Sequence, residues 1–264
     1  MTDLSKLPAV DPETPNAARM YDYFLGGSHN FAADRAAAER VKAGLPFAVE
    51  LARANRFFLH RAVRFCAAEG IDQFLDLGSG IPTVGNVHEV VQALNPAARV
   101  AYVDNEPVTV ASAMALLEGE PLASITAADL RDPDAVFDAP GVRDLLDLTR
   151  PVALLTVAVL HFIADEDDPA ALAQRYRSRL APGSFHAITH GTADHDSSEV
   201  EALTTVYRST ANPAVARTRA QVAALFGDTE LVDPGLVDAT EWRPDENGVG
   251  GQHRGFYAGV GRIR

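Results

Sequence analysis

From about residue 72 onward, short apolar runs alternate with longer stretches in which apolar residues recur every three or four positions. The short runs predict strands at 73–77, 99–103, 123–127, 151–159 and 184–190. The longer stretches predict helices at 84–95, 107–118, 132–147 and 168–180. Alternation of this kind implies a parallel sheet with helices on both faces. The last third differs: 199–209 and 218–226 have helical spacing, while Leu231 to Trp242 and Gly255 to Ile263 read as strands. Joined by the glycine-rich stretch Asn247 to Gly251, these two form an expected antiparallel hairpin at the sheet edge.

The first 70 residues follow another rule. Residues 1–13 are polar and proline-punctuated, a loose arm. A helix is expected to start at Thr14-Pro15, an N-cap followed by proline, and to stop at Gly26-Gly27. A second covers about Ala32 to Ala43. A third, Pro46 to Ala68, places Phe47, Leu51, Ala54, Phe58, Ala62 and Phe65 on one face, as a helix packed on a sheet requires. The division expected is a helical extension or lid over 1–70 and a ligand-binding α/β domain over 71–264.

The chemistry concentrates at Phe74-Leu75-Asp76-Leu77-Gly78-Ser79-Gly80-Ile81-Pro82-Thr83, a strand that ends in an acid and a glycine turn, with Pro82 placed to start a helix. Glycines there let a ligand approach bare backbone. The next strand ends in Asp104, 24 residues after Gly80, near the spacing of a ribose-binding carboxylate. Thr83 stands where a dinucleotide fingerprint needs its third glycine. Asp76 would repel a pyrophosphate but accept hydrogen bonds from a cationic amino-acid moiety. S-adenosylmethionine (SAM) carries an ammonium and a sulfonium and no phosphate, so it is the expected cofactor.

Lysine usage narrows the field further. Lys6 and Lys42 are the only two and both precede the motif, which removes a Walker loop and any lysine-based cofactor chemistry from the α/β domain. A net charge of −13 argues against nucleic acid as a partner. One cysteine, Cys66, in an apolar helical pattern, reads as core and permits no disulfide within the chain. No signal peptide is evident, and the longest apolar run, Pro151 to Ile163, is too short to span a bilayer. The expectation is a cytoplasmic protein without a metal site, acting on a small molecule away from membranes; the N-terminal helices allow a homodimer.

Leu75-Asp76-Leu77-Gly78-Ser79-Gly80-Ile81-Pro82-Thr83 followed by Gly85-Asn86-Val87-His88-Glu89 resembles the actinobacterial SAM-dependent methyltransferase family, long known as a domain of unknown function. The block Pro15-Asn16-Ala17-Ala18-Arg19-Met20-Tyr21-Asp22-Tyr23-Phe24-Leu25-Gly26-Gly27 is similar to a second signature of that family, and Trp242-Arg243-Pro244 to a third. The resemblance covers nearly the whole chain. It implies a Rossmann-like class I methyltransferase, a seven-stranded, mostly parallel sheet closed by an antiparallel hairpin, with extra N-terminal helices. It names no substrate.

In that pattern Gly78 and Gly80 lie against the methionine half of SAM, Asp76 near its ammonium, Asp104 at the ribose hydroxyls and Asn105 beside the adenine. Asp76 and Asp104 each have a plainer reading as turn residues. Asp129 accepts from the adenine amino group with the Leu130 backbone adjacent, or else caps the helix near Arg131-Asp132-Pro133. His161, ending the fourth predicted strand, serves as general base or only shapes the pocket, and His190 is a weaker candidate of the same kind. His88 reads as structural. The Arg19 to Gly27 helix is either an amphipathic helix ended by a glycine cap or a lid, with Arg19 paired to the cofactor carboxylate and Tyr21 or Tyr23 closing over it. The Asn55-Arg56 pair braces this region and is assigned no chemistry. Methyl transfer needs alignment and exclusion of water more than a strong base, so the lack of a triad is no objection. Two alternatives stay open at this point, a non-catalytic SAM-binding regulator and an NAD(P)-dependent reductase.

Overall fold

A computed structural model describes residues 9–83, 85–194, 197–244 and 253–264, and the side chains of 195–199 are not among those described. Five parallel strands form the body of one sheet: β1 (Gln73–Leu77), β2 (Arg99–Asp104), β3 (Ala123–Ala127), β4 (Ala153–Val157) and β5 (Phe185–Gly191). Each is almost wholly buried because helices cover both faces, which is why they read as continuous apolar runs. The order β3-β2-β1-β4-β5 puts a topological switch point beside β1. Ligands in open α/β sheets bind beyond the carboxyl ends of strands at such a point.

The far edge differs from the expected simple hairpin. β8 (Phe256–Arg262) runs antiparallel to β5 along seven residue pairs. Its outer neighbour is split into β6 (Glu230–Leu231) and β7 (Val237–Asp238), so the sheet has eight strands in seven positions. The split follows from Pro234, which has no N–H to donate, and Gly235, whose φ of +84° turns the chain. The connecting stretch Asn247 to Gly251 lies outside the described residues.

Helices on the sheet faces are α3 (Ala48–Ala68), α4 (Val87–Gln92), α5 (Pro107–Leu116), α6 (Pro133–Asp138), α7 (Pro140–Arg143) and α8 (Pro169–Arg177). The single helix expected over 132–147 is broken before Pro140, whose ring excludes the preceding residue from helical geometry. Pro82 does not open a helix either. α4 starts only at Val87, where Asn86 and Glu89 form a capping box. α3 packs Phe58, Ala62 and Phe65 against the sheet, with the fully buried Trp242 edge-on to both rings and Cys66 beside it. Among the described residues no helix is long and apolar enough to cross a membrane.

α1 (Ala17–Phe24), α2 (Ala32–Gly44), the start of α3 and Tyr207 of α9 (Ser197–Tyr207) share a separate apolar cluster over the carboxyl ends of the strands. The cap of α1 is Asn16 rather than Thr14: its side chain accepts from Ala18 N–H at 2.8 Å, while the Thr14 carbonyl receives Arg19. Arg19 fixes this layer. Its guanidinium, 3% exposed, donates to Asp34 at 2.9 Å and to Glu106, the N-cap of α5, at 3.0 Å. Glu106 follows β2 directly, so one buried cation ties the helical layer to the sheet. Arg19→Ala leaves two buried carboxylates without their partner and should cost about 3–5 kcal/mol. Urea unfolding checks this, and Arg19→Lys, with one compact charge for two acceptors, should recover only part of the loss.

Candidate active site

The floor of the site is the turn after β1. Gly78 and Gly80 have φ of +66° and +67°, the left-handed region that favours glycine. The Asp104 carboxylate joins this turn to β2: one oxygen accepts Gly80 N–H at 2.8 Å, the other Glu106 N–H at 2.9 Å. Burial still pushes its carboxyl up to about 6, against those two hydrogen bonds. Asp76 is more exceptional. It is 5% exposed, and among the described residues its carboxylate has no hydrogen bond. Burial pushes it up to about 7, with Arg56 pulling it down and Asp104 pushing it higher.

Above the turn lies a cavity of about 470 Å³, lined by the ends of β1 to β4, by α1 and α3, and by residues 211–213. It brings together Asp76, Gly78, Gly80, Asp104, Asn105, Asp129, Leu130 and His161. Asn105 is exposed at the rim. Asp129 sits there too, engaged by the Arg131 guanidinium at 2.5 to 3.1 Å. It does not cap the next helix, because Asp132 does that by accepting from Ala135 N–H. The Leu130 carbonyl accepts from the Tyr176 hydroxyl at 2.7 Å. His88 is buried on α4 with Nδ1 2.8 Å from the Tyr102 hydroxyl.

Three expected residues stand elsewhere. Arg19 is consumed by the ion pairs described above and does not line the cavity. Tyr23 faces away, its hydroxyl donating to Glu39 at the surface, because it lies on the opposite side of α1 from Tyr21. His190 is saturated: Nδ1 donates to the Gly191 carbonyl at 2.8 Å and Nε2 accepts from Arg217 at 2.9 Å. Burial lowers it to about 4, in keeping with the neutral ring that these two hydrogen bonds require.

Other residues take their places. Arg56 of α3 lines the cavity next to Asp76, and its buried Nε has no hydrogen-bond partner among the described residues. One of its terminal nitrogens holds the Gly85 carbonyl at 3.1 Å, as His60 does one helical turn later. That i, i+4 basic pair on the face opposite the apolar stripe is the only signal the sequence offers for it. Ala158, after β4, has φ of +55° and is held there by its N–H to Thr189 at 2.8 Å; Thr189 donates on to Asn55 at 2.5 Å. Asn55 then donates to the Tyr21 hydroxyl at 3.0 Å, which donates to the Ala52 carbonyl.

The family described as S-adenosyl methyltransferase matches residues 4–264. The chain belongs to that family. It is therefore a SAM-dependent methyltransferase, and SAM is its cofactor. Two solved structures are similar over nearly all of it. One, from Thermobifida fusca YX and assigned as a methyltransferase, is 40% identical, with 96% of each chain covered and a TM-score of 0.89. The other, a DUF574 family protein from Streptomyces avermitilis MA-4680, is 38% identical over 97% of this chain and 100% of that one, TM-score 0.92. An N-methyltransferase, NodS from Bradyrhizobium japonicum WM9, shares the fold alone, at 14% identity over 80% of this chain and 96% of that one, TM-score 0.50. Among curated proteins none matches.

In this methyltransferase the two glycines of the turn are not equivalent. A Cβ on Gly78 would overlap the Val159 side chain, whereas one on Gly80 would meet nothing within 4 Å. Gly80→Ala should cost about 1–2 kcal/mol from its left-handed backbone alone. Gly78→Ala adds an overlap worth about 1–3 kcal/mol more. Thermal melting of the two variants without cofactor should show Gly78→Ala as the less stable.

Proposed function

We propose that this enzyme methylates a small-molecule acceptor presented to the covered cavity, with the cofactor held by Asp76, Arg56, Gly78, Gly80, Asp104 and Asp129. The observation that carries the cofactor roles is a pair of unpartnered groups on one cavity wall: the Asp76 carboxylate, on a buried residue and without a hydrogen bond, and the buried Arg56 Nε without one. An amino-acid zwitterion satisfies both at once. Asp76 takes the ammonium and Arg56 the carboxylate, while Gly78 and Gly80 allow close approach. Asp104, already oriented by Gly80 and Glu106, keeps lone pairs for a ribose diol. Asp129 can accept from an adenine amino group alongside Arg131. Bound SAM supplies a methyl group made electrophilic by its sulfonium.

The chain's own contribution is placement and exclusion of water. α1 and α3 roof the cavity, and the described residues 9–70 act as this cover more than as a separate unit. His161 stands in the wall beyond β4. Burial, His190 and Arg217 together hold it well below the usual histidine range, so the ring is neutral and can accept a proton or hydrogen bond from an acceptor. The overall charge of −13 is unsuited to a nucleic-acid substrate.

Calorimetric titration with SAM should show binding to the wild type and about 100-fold weaker binding to Asp104→Ala, the loss of two charge-assisted hydrogen bonds. Equal affinity, or no binding by either, overturns the assignment. Asp76 must be ionised to hold an ammonium. Its carboxyl sits at about 7, so affinity should fall below neutrality, by about tenfold for each pH unit. Without cofactor the sign reverses. A carboxyl raised above its unfolded value of 3.8 costs stability as pH rises towards 7, by up to about 4 kcal/mol. Asp76→Asn should therefore melt higher than wild type at pH 8 and bind SAM weakly at every pH.

A further inference from the structure

A second pocket, about 100 Å³, adjoins the cofactor cavity through His161, Tyr207 and Phe256, which line both. Its other walls come from the start of α3, from α9, from residues 214–216 and from the approach to β8. Leu45, Phe47, Leu51, Leu203 and Val215 make most of that surface apolar. Among the described residues no carboxylate lines it. The polar side chains on its wall are mostly engaged already. Thr204 donates to the Val200 carbonyl at 2.8 Å, Thr192 accepts from Asp194 N–H at 2.9 Å, and Arg254 is paired with Glu241.

His161 and the Tyr207 hydroxyl, both at the shared wall, are the exceptions. Neither ring nitrogen of His161 has a hydrogen bond among the described residues, and Nδ1 is sealed from solvent. Whichever tautomer is present, His161 therefore offers a polar position where the two cavities meet, on the same shared wall as the Tyr207 hydroxyl. A hydroxyl or amine satisfies either tautomer, because each both donates and accepts.

We propose that this pocket is the acceptor site and takes an uncharged, single-ring apolar molecule whose hydroxyl or amine lies against His161. The size admits no more than one ring: a dry cavity of about 150 Å³ lined by aliphatic and aromatic side chains holds benzene. This pocket, at about 100 Å³, takes a ring by letting its polar end reach the shared wall at His161. Charge is disfavoured because Arg254, the one charged side chain on the described wall, is already paired with Glu241, so a buried ion would meet no free counter-charge there. The inference rests on the methyltransferase reading of the neighbouring cavity, which supplies the methyl donor at the shared wall.

Calorimetry with protein saturated in S-adenosylhomocysteine tests it, using p-cresol as the neutral probe and 4-hydroxybenzoate and tyramine as anionic and cationic counterparts. p-Cresol should bind at least about tenfold more tightly than either ion. Leu203→Asp, which places a charge in the wall, and Ala214→Trp, which fills the space, should each weaken p-cresol by about tenfold or more, while S-adenosylhomocysteine affinity stays within about twofold. His161→Leu should remove a preference of about fivefold for p-cresol over toluene. The proposal is overturned if S-adenosylhomocysteine binds and p-cresol does not, if the ions bind as well as p-cresol, or if all three variants behave as wild type. Failure of the wild type to bind S-adenosylhomocysteine overturns the cofactor assignment, and this proposal with it.

Discussion

The guanidinium of Arg19, shared between Asp34 and Glu106, decides where the helical layer sits. Each partner is also held by the backbone: Asp34 accepts from the N–H groups of Asn16 and Phe31, and Glu106 from that of Thr109. One positive charge thus faces two negative ones, and backbone N–H groups orient both carboxylates and help carry the surplus, which is what makes the buried cluster tolerable. Because Glu106 lies two residues past Asp104, the same contact that seats α1 also sets the distance between the roof and the ribose-side carboxylate. Without it α1 would keep an apolar face and lose its address.

A second buried thread crosses the cavity: Ala158 to Thr189 to Asn55 to Tyr21 to Ala52. It connects the end of β4, β5, α3 and α1 through one hydrogen bond at each step. Ala158 stays in a left-handed conformation that costs about 1–2 kcal/mol, held because Thr189 receives its N–H. The turn after β4 thereby opens towards His161 instead of continuing the strand. Wall and roof are one network.

The parallel strands were legible in the sequence to within two residues at either end, since burial on both faces leaves an unbroken apolar run. What escaped was set by proline and by distance. Pro140 and Pro234 each divide an element that reads as one, because hydrophobic pattern outweighs a single missing N–H when the chain is scanned. The floor of the site was legible because Asp76, the glycines and Asp104 belong to two consecutive strand ends. Arg19 invited a ligand-binding role because its partners lie 15 and 87 residues away. Arg56 drew attention only as a brace paired with Asn55 and was given no chemistry, because nothing in the sequence sets a residue on a helix before β1 against Asp76.

His161 and His190 show the limit of such reading most sharply. His161 follows β4 and His190 lies at the end of β5, at the same rim, and their rings stand 5.5 Å apart. Position in the sheet cannot separate them. Arg217 does, by donating to His190 and to the Leu160 and Ile163 carbonyls on either side of His161. It saturates one imidazole and fixes the backbone that carries the other, which it leaves without a partner. Four of the fold's costs border the same space: a buried Asp76 without a hydrogen bond, an orphaned Arg56 nitrogen, a left-handed Ala158 and an unsatisfied His161. A fold optimised for stability alone would remove each of them. Their convergence on connected cavities is the physical argument that those cavities exist to be filled.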